Sequence, residues 1–338
     1  MSPRPRVLVL LQRYPQLSET YIKTELEALQ DDFQLEILGC RPVELPDPEH
    51  LPFEFTEHFH EILNALRAFK PKVIHSHYLV WAGPVFEAAR AAGVPFTLRA
   101  HSFDTAWIEG SPLPDHLAQI GAIASHELCL GILGFPYSLP LLERLGVPRA
   151  KLHPAPPVVN TRLFHDPSPN GEGVLNTGSV FPKKQMQDFI AAAVRLPGRE
   201  FNLYPLGYDV ADIEAVNRAA GNPVRIHSPV PFRCMPAIYK AHQWLLYTAS
   251  FELKAVGWPM AVAEAQAAGV GVCMAGIRPD LEDYLGGGGF VYRSIEEAVE
   301  ILRGPCPPEI RARGFDNARR LDFQQHRHRL TDLWAPVL

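Results

Sequence analysis

Residues 256–269 read V-G-W-P-M-A-V-A-E-A-Q-A-A-G. Pro259 has no backbone N–H to leave unpaired, which suits the first turn of a helix, and Gly269 suits the left-handed residue that ends one. Between them runs an Ala-rich segment with one carboxylate, Glu264, and beyond Gly269 comes the apolar run Val270-Gly271-Val272-Cys273-Met274. The order is loop, helix, strand. A helix start of this kind offers unpaired N–H groups and the positive end of a dipole, where α/β proteins hold phosphates or sugar hydroxyls. From spacing alone the stretch also fits an ordinary buried crossover whose Glu264 points to solvent.

Outward from this stretch, strand and helix alternate. Strands are expected at 173–180, 201–206, 224–227, 244–247, 271–274 and 290–292, and helices at 186–196, 209–220, 236–241, 280–285 and 295–302. That alternation calls for right-handed crossovers around a parallel sheet. Residues 181–185, F-P-K-K-Q, make the first turn, following Gly178 and Ser179. Lys183 and Lys184 at a helix start would suit a phosphate, because dipole and ammonium charges add; lysines that merely solvate a loop give the same pattern. The turn is not a Walker A loop, and Gly286 to Gly289 lacks the G-x-G-x-x-G context of a dinucleotide loop. Residues 308–333 read as a polar, Arg-rich helical tail.

The first half repeats the theme. Strands are expected at 6–11, 33–40, 73–77, 96–100 and 122–125, and helices at 58–69, 85–92 and 140–145. Ser18-Glu19-Thr20 leads a further helix, with Ser18 as its N-cap and Glu19 suited to the positive end. The loop 14–20 therefore sits at the carboxyl end of a first strand, the edge where open α/β sheets bind ligands. Two other strand ends deliver His75-Ser76-His77 and His101-Ser102-Phe103-Asp104 to one side of the sheet. Residues 151–164 are Pro-dense, and residues 166–173, D-P-S-P-N-G-E-G, are rich in turn formers, so the domain boundary is expected there.

Composition supports a bilobal reading. A chain of 338 residues exceeds one ordinary core, and 47% hydrophobic with 20% charged residues suits a folded protein. A formal charge of -5 gives no global field for nucleic acid. Residues 7–11 are too short an apolar run for a signal-peptide core, and no run approaches a membrane span, so a cytoplasmic chain is expected. Five cysteines without C-x-x-C spacing indicate neither a disulfide framework nor a zinc site.

Taken in order, the motifs resemble the retaining glycosyltransferases of family 4, which have the GT-B fold. Y-P-Q-L-S-E-T-Y-I at residues 14–22 is similar to the P-x-x-S-E-T-F-I opening of the family's bacterial exopolysaccharide branch. I-H-S-H at 74–77, R-A-H-S-F-D at 99–104, V-N-T-R-L-F at 159–164, G-S-V-F-P-K-K-Q at 178–185 and G-W-P-M-A-V-A-E-A-Q-A-A-G at 257–269 follow in the family's order. Each is weak alone and the series is specific.

The resemblance implies an α/β chain of two Rossmann-like domains facing across a cleft. An acceptor-side domain would span 1–165, a nucleotide-sugar domain 174–307, and a helical tail 308–338 would cross back to the first domain. It implies retaining transfer of a sugar from a nucleotide-diphosphate donor to a small-molecule or glycan hydroxyl, with no metal and no cofactor. No D-x-D metal motif stands out. A peripheral membrane contact is compatible with it. His101, Lys184 and Glu264 would be the groups at the reaction: Glu264 on the ribose hydroxyls, Lys184 on the diphosphate, His101 on the donor sugar. Gly178, Ser179, Lys183, Val256, Gly257, Trp258 and Pro259 would complete the donor side. Ser18, Glu19, Thr20, His77 and Asp104 would face phosphate or acceptor. Two positions depart from the family. Val256 stands where the E-x7-E motif has its first, sugar-binding glutamate, with Glu252 nearby as a substitute, and Ser179 stands where an arginine accompanies the lysine. A silent GT-B binding module and a nucleotide-sugar epimerase are the competing readings.

Overall fold

The computed structural model describes residues 3–106, 111–207 and 209–338. Its strands are β1 (Arg6–Arg13), β2 (Gln34–Arg41), β3 (Glu54–Phe55), β4 (Val73–His77), β5 (Phe96–Arg99), β6 (Cys129–Gly134), β7 (Leu152–Pro154), β8 (Gly173–Ser179), β9 (Phe201–Leu206), β10 (Arg225–Ile226), β11 (His242–Tyr247), β12 (Gly271–Ala275) and β13 (Gly289–Tyr292). The first seven form one sheet in the order β3-β2-β1-β4-β5-β6-β7 and the last six another, β10-β9-β8-β11-β12-β13. All named strand pairs are parallel, with helices in the crossovers. Fully buried parallel strands explain the near-continuous apolar runs, such as Val7 to Leu11 and Val272 to Ala275.

In each sheet the order reverses once, between β1 and β4 in the first and between β8 and β11 in the second. The carboxyl ends of strands at such a reversal are where open α/β sheets bind ligands. These ends carry residues 14–20 and His77 in the first sheet, and residues 178–184 and Thr248 in the second.

Two compact units result, one of residues 1–156 with 323–338, the other of residues 157–322. The division falls before the turn-rich 166–173 expected from sequence. Val159 N–H donates to Leu321, and Val159 and Phe164 are buried in the second unit's core. Lys240 and Arg311 then hold the carbonyls of 166–168 against the same unit. The first part of the expected tail, residues 308–322, also belongs to the second unit. Helix Pro308–Arg320 packs on helix Met260–Ala267, where Asn317 donates to Gln266 and the backbone of Gly314 meets Gly288 too closely for a Cβ. Only residues 323–338 lie with the first unit, with Trp334 fully buried there.

One strand expectation is overturned. Residues 122–125 lie in the helix Asp115–Ser125, and the strand is β6 instead. Leu117, Ile120, Ile123 and Ala124 are buried at helical spacing, a period that the short apolar run Ala122-Ile123-Ala124 hides. Helix Met260–Ala267 begins after Pro259, which holds the N-cap position in extended conformation. It ends with Gly269 at φ +75°, with Gly269 N–H on Gln266 and Val270 N–H on Ala265. That pair of bonds is a Schellman motif, the ending the glycine predicts.

Candidate functional site

At the reversal in the first sheet, the leading helix is Thr20–Leu29, and its N-cap is Glu19, not Ser18. Ser18 is exposed and Glu19 makes no cap bond, because its side chain turns to Tyr78. Tyr78 Oη donates to Glu19 Oε1 at 3.0 Å and Gln16 Nε2 does so at 3.1 Å, while Glu19 Oε2 is buried without a hydrogen bond. Burial pushes the Glu19 carboxyl up to about 8 against the lowering effects of Gln16 and Arg13. Tyr78 holds φ +71°, a conformation that costs a non-glycine residue free energy.

His77 ends β4 and His101 follows β5; both are buried. Parallel pairing sets His77 beside Arg99, and His101, two residues on, closes over it. The rings stack with centroids 5.2 Å apart, and His77 Nδ1 lies 3.0 Å from His101 Nε2. Tyr21 and Tyr78 each pack on His101 with centroids 4.5 Å away. Asp104 takes a structural position: one oxygen accepts from the backbone N–H of His101 and the other from Leu79, both at 2.8 Å. Both carboxylate oxygens thus tie the ends of β4 and β5 together.

Beneath the histidines sits Glu25, which the motif reading missed. Its Oε1 accepts from His75 Nε2 at 2.9 Å and lies 3.1 Å from His77 Nε2, and its Oε2 accepts from Arg99 at 2.6 Å. Burial pushes this carboxyl up, but Arg99 and the two histidines outweigh it and hold it well below the usual carboxylate range. Burial lowers His77 to about 4 despite Glu25, and burial, then His77 and Arg99, hold His101 well below the ordinary histidine value. A signal was available. Ile22, Glu25, Leu26 and Leu29 share the buried face of their helix, and a carboxylate on an apolar face needs partners.

Glu25, His75 and His77 bring one ligand atom each within 4.8 Å of one another, a spacing a metal ion accepts. The guanidinium of Arg99 already neutralises the carboxylate, so a dication would leave this dry interior with its whole charge uncompensated. The donor set fits a hydrogen-bonded network better than a metal.

In the second unit, β8 ends at Gly178 and Ser179, and a single turn, Pro182–Lys184, carries the lysines. The expectation that they open the next helix is not met: Gln185 adopts a left-handed conformation, and helix Gln187–Arg195 starts only after it. The turn is tied instead to the end of β11. Thr248 Oγ1 donates to the Lys184 carbonyl at 2.7 Å, Ser250 N–H to the Lys183 carbonyl at 2.9 Å, and Asn176 to Thr248. Lys184 Nζ stands 5.3 Å from the centre of the Tyr247 ring and has no hydrogen-bond acceptor among the described residues. Burial, with Lys183 adding to it, lowers this ammonium to about 8, against the raising pull of Glu264. Gly178 makes room for it, since a Cβ there would come within 2.6 Å of Nζ.

Glu264 is buried on its helix and accepts from Tyr239 Oη at 2.9 Å. Val256 lies in the hydrophobic core, 4% exposed, and Glu252 is exposed in the turn before it. Arg278 donates to the Val256 carbonyl and pairs with Asp280, which also accepts from Trp258 Nε1 at 2.6 Å. Trp258 stacks on Tyr284, 4.9 Å between centroids and 11° between planes. The loop Gly257-Trp258-Pro259 is therefore braced from both sides, by Arg278 and Tyr284. Within the second unit the structure brings Gly178, Lys184 and Glu264 into one neighbourhood, and within the first Glu19, Tyr78, His77 and His101.

Among the described residues no helix is long and apolar enough to cross a membrane. Residues 6–127 match the model of the glycosyl transferase 4-like domain. A search of curated protein sequences finds no match. Among solved structures the chain is similar to HepE of Anabaena in complex with UDP and glucose, with a TM-score of 0.80 at 15% identity over 98% of this chain and 100% of that one. It is also similar to sucrose-phosphate synthase from Thermosynechococcus elongatus, with a TM-score of 0.74 at 14% identity over 98% of each chain. The lipopolysaccharide outer core galactosyltransferase WaaB gives 0.64 at 14% identity, over 98% of this chain and 100% of that one. The family match thus covers the first sheet as far as helix Asp115–Ser125, and over its whole length the chain has the GT-B fold of these structures.

Proposed function

We propose that the protein transfers a sugar from a nucleotide-diphosphate donor to a hydroxyl acceptor, with retention of anomeric configuration and without a metal ion. The observation that carries this reading is the Lys184 ammonium, held at the sheet reversal beside Gly178 with no hydrogen-bond acceptor among the described residues. When the bond between the anomeric carbon and the phosphate oxygen breaks, negative charge gathers on the departing diphosphate. A preorganised ammonium in a partly buried position stabilises that charge where it develops. The new bond forms on the face the leaving group vacates, and the acceptor's proton passes to the departing phosphate oxygen, so atoms and charge balance.

In this reading Glu264 accepts from the ribose hydroxyls, with Tyr239 holding one of its oxygens in place. Backbone N–H groups of the braced Gly257-Trp258 loop lie on the phosphate or sugar. Lys183 adds charge, and Ser179 leaves space where the family has an arginine. His101 recognises a hydroxyl, and Glu19, with Ser18 and Thr20 beside it, serves the acceptor side. HepE has been solved with UDP-glucose, which makes uridine-diphosphate sugars the first donors to try.

The test is a panel of UDP-, GDP-, TDP- and ADP-sugars, with and without EDTA, followed by nucleotide release and by NMR of the product anomer. Release that persists in EDTA, with retained configuration, is the expected result; inversion or abolition by EDTA would overturn the mechanism. One observation favours a second reading, a silent binding module: Val256 packs in the core, so the family's first glutamate has no counterpart there. Nucleotide binding without turnover across the panel is the outcome that reading expects. A changed sugar without nucleotide release would point to an epimerase.

A further inference from the structure

The hydrogen bonds around Glu25 converge on its carboxylate, which sets their direction. The indole of Trp334 is a donor only, and it gives its Nε1 proton to Thr97 Oγ1 at 3.1 Å. Thr97 Oγ1 lies 2.9 Å from His75 Nδ1, and His75 Nε2 lies 2.9 Å from Glu25 Oε1. Glu25 is kept as a carboxylate by Arg99 and so accepts only. His75 Nε2 therefore donates to Glu25, and Thr97 joins Trp334 to the other ring nitrogen.

The same logic applies to the second histidine. His77 Nε2 faces Glu25 Oε1 at 3.1 Å, off the line of a good hydrogen bond. A lone pair there would oppose the carboxylate in a dry interior, so the proton of neutral His77 sits on Nε2. Its Nδ1 is then an acceptor. The partner of that Nδ1 is His101 Nε2 at 3.0 Å, which must be the donor. What remains on His101 is Nδ1, which makes no hydrogen bond with the described residues.

We propose that Glu25, acting through His77, fixes His101 as the neutral Nε2–H tautomer, so that Nδ1 accepts a hydrogen bond from a substrate hydroxyl and rejects phosphate oxygens. The inference rests on the transferase reading for the word substrate, and it adds the residues that fix which way His101 hydrogen-bonds. A phosphate or carboxylate oxygen offers lone pairs, which an Nδ1 lone pair repels; a sugar hydroxyl offers the proton it needs. Glu25, His75, His77, Arg99 and Thr97 are positioning residues in this scheme. Trp334 brings the C-terminal segment of the first unit into it.

The experiment is long-range ¹H–¹⁵N correlation NMR on the full chain with ¹⁵N-labelled histidine at neutral pH. His77 and His101 are expected to show unprotonated Nδ1 and protonated Nε2. A proton on His101 Nδ1, or a doubly protonated His77, would overturn the proposal. Glu25→Gln supplies the second arm, since an amide has both a donor and an acceptor and no longer dictates direction. His101 is expected to lose its single tautomer in that variant, with the amide spectrum reporting that the fold persists. An unchanged His101 signal would remove Glu25 from the scheme. Where Glu25→Gln does not fold, the wild-type spectrum alone decides. Zinc added to the wild type is expected to leave the His75 and His77 signals in place; their displacement would make the cluster a metal site and overturn the relay. None of these readouts involves turnover, so failure of the relay and failure of the donor panel are separate results.

Discussion

The two sheet reversals carry opposite kinds of polar site. In the first unit, charges and rings are spent on one another: Arg99 on Glu25, Glu25 on two histidines, Asp104 on two backbone N–H groups. In the second, the Lys184 ammonium is brought under cover, given clearance by Gly178, and left without an acceptor among the described residues. A paired network fixes orientation and gains little from an added ion, whereas a cation without an acceptor attracts an anion. In the proposed reading, the first site aims a hydrogen bond and the second holds negative charge.

The largest effect expected from breaking this contrast lies in the first unit. Arg99→Met leaves the Glu25 carboxylate buried without its guanidinium and should cost about 3–5 kcal/mol of stability, read by urea or thermal unfolding. Acid unfolding provides the sign. Glu25 is depressed in the folded state, so its contribution is present above the ordinary carboxylate range and is lost as pH falls through the depressed value. Arg99→Met should therefore shift acid unfolding to higher pH. A stability within 1 kcal/mol of wild type, on the ordinary surface-substitution scale, would mean the network is decorative.

Next comes Lys184→Ala, which should leave stability nearly unchanged and weaken nucleotide-diphosphate binding about ten- to hundredfold, the equivalent of about 1.5–3 kcal/mol for a charge-assisted bond. Calorimetry with UDP and GDP measures it. In the wild type, affinity should hold at neutral pH and fall as pH rises past about 8, where this lysine gives up its proton. Full affinity in Lys184→Ala would move the diphosphate elsewhere. A smaller effect is expected from Gly178→Ala. The residue has φ +118°, so alanine costs about 1–3 kcal/mol in backbone strain, and its methyl also pushes on Nζ. Reduced stability with weakened binding is expected; weakened stability alone would show that Nζ relocates without consequence.

Much of this was legible in the sequence, and the reasons for the rest are specific. Strands buried on both faces announce themselves, so 73–77 and 201–206 are read to the residue. The Gly269 stop is legible because only one conformation closes that helix. Residues 122–125 mislead because a few apolar residues fit either period. The lysine turn is displaced from its helix by Gln185, a left-handed residue that no turn rule assigns to glutamine. Glu25 was visible only as a carboxylate on an apolar face, and the clearance at Gly178 needs coordinates, since nothing in the spacing says which side chain a missing Cβ admits. Val256 shows the limit of motif transfer. A departure from the family pattern reads as altered donor recognition, whereas the side chain is packed in a core, so Val256→Glu would first test the cost of a buried charge.

The smallest effect belongs to Glu19, which joins features of both regions: it is hydrogen-bonded by Tyr78 and Gln16 through one oxygen and unpaired through the other. Its folded value of about 8 lies above that of an unfolded glutamate. A raised value means that the folded state binds the extra proton, so the stabilisation is complete below the unfolded value and disappears as pH rises through about 8. Glu19→Gln imitates the protonated form at every pH. The variant should match the wild type in unfolding experiments near pH 5 and become the more stable of the two near pH 9. The informative quantity is the slope of stability against pH. Parallel slopes for the two proteins would mean that Glu19 is already ionised at neutral pH. The carboxylate would then oppose an incoming phosphate, placing Glu19 with the groups that select hydroxyls and away from those that hold charge.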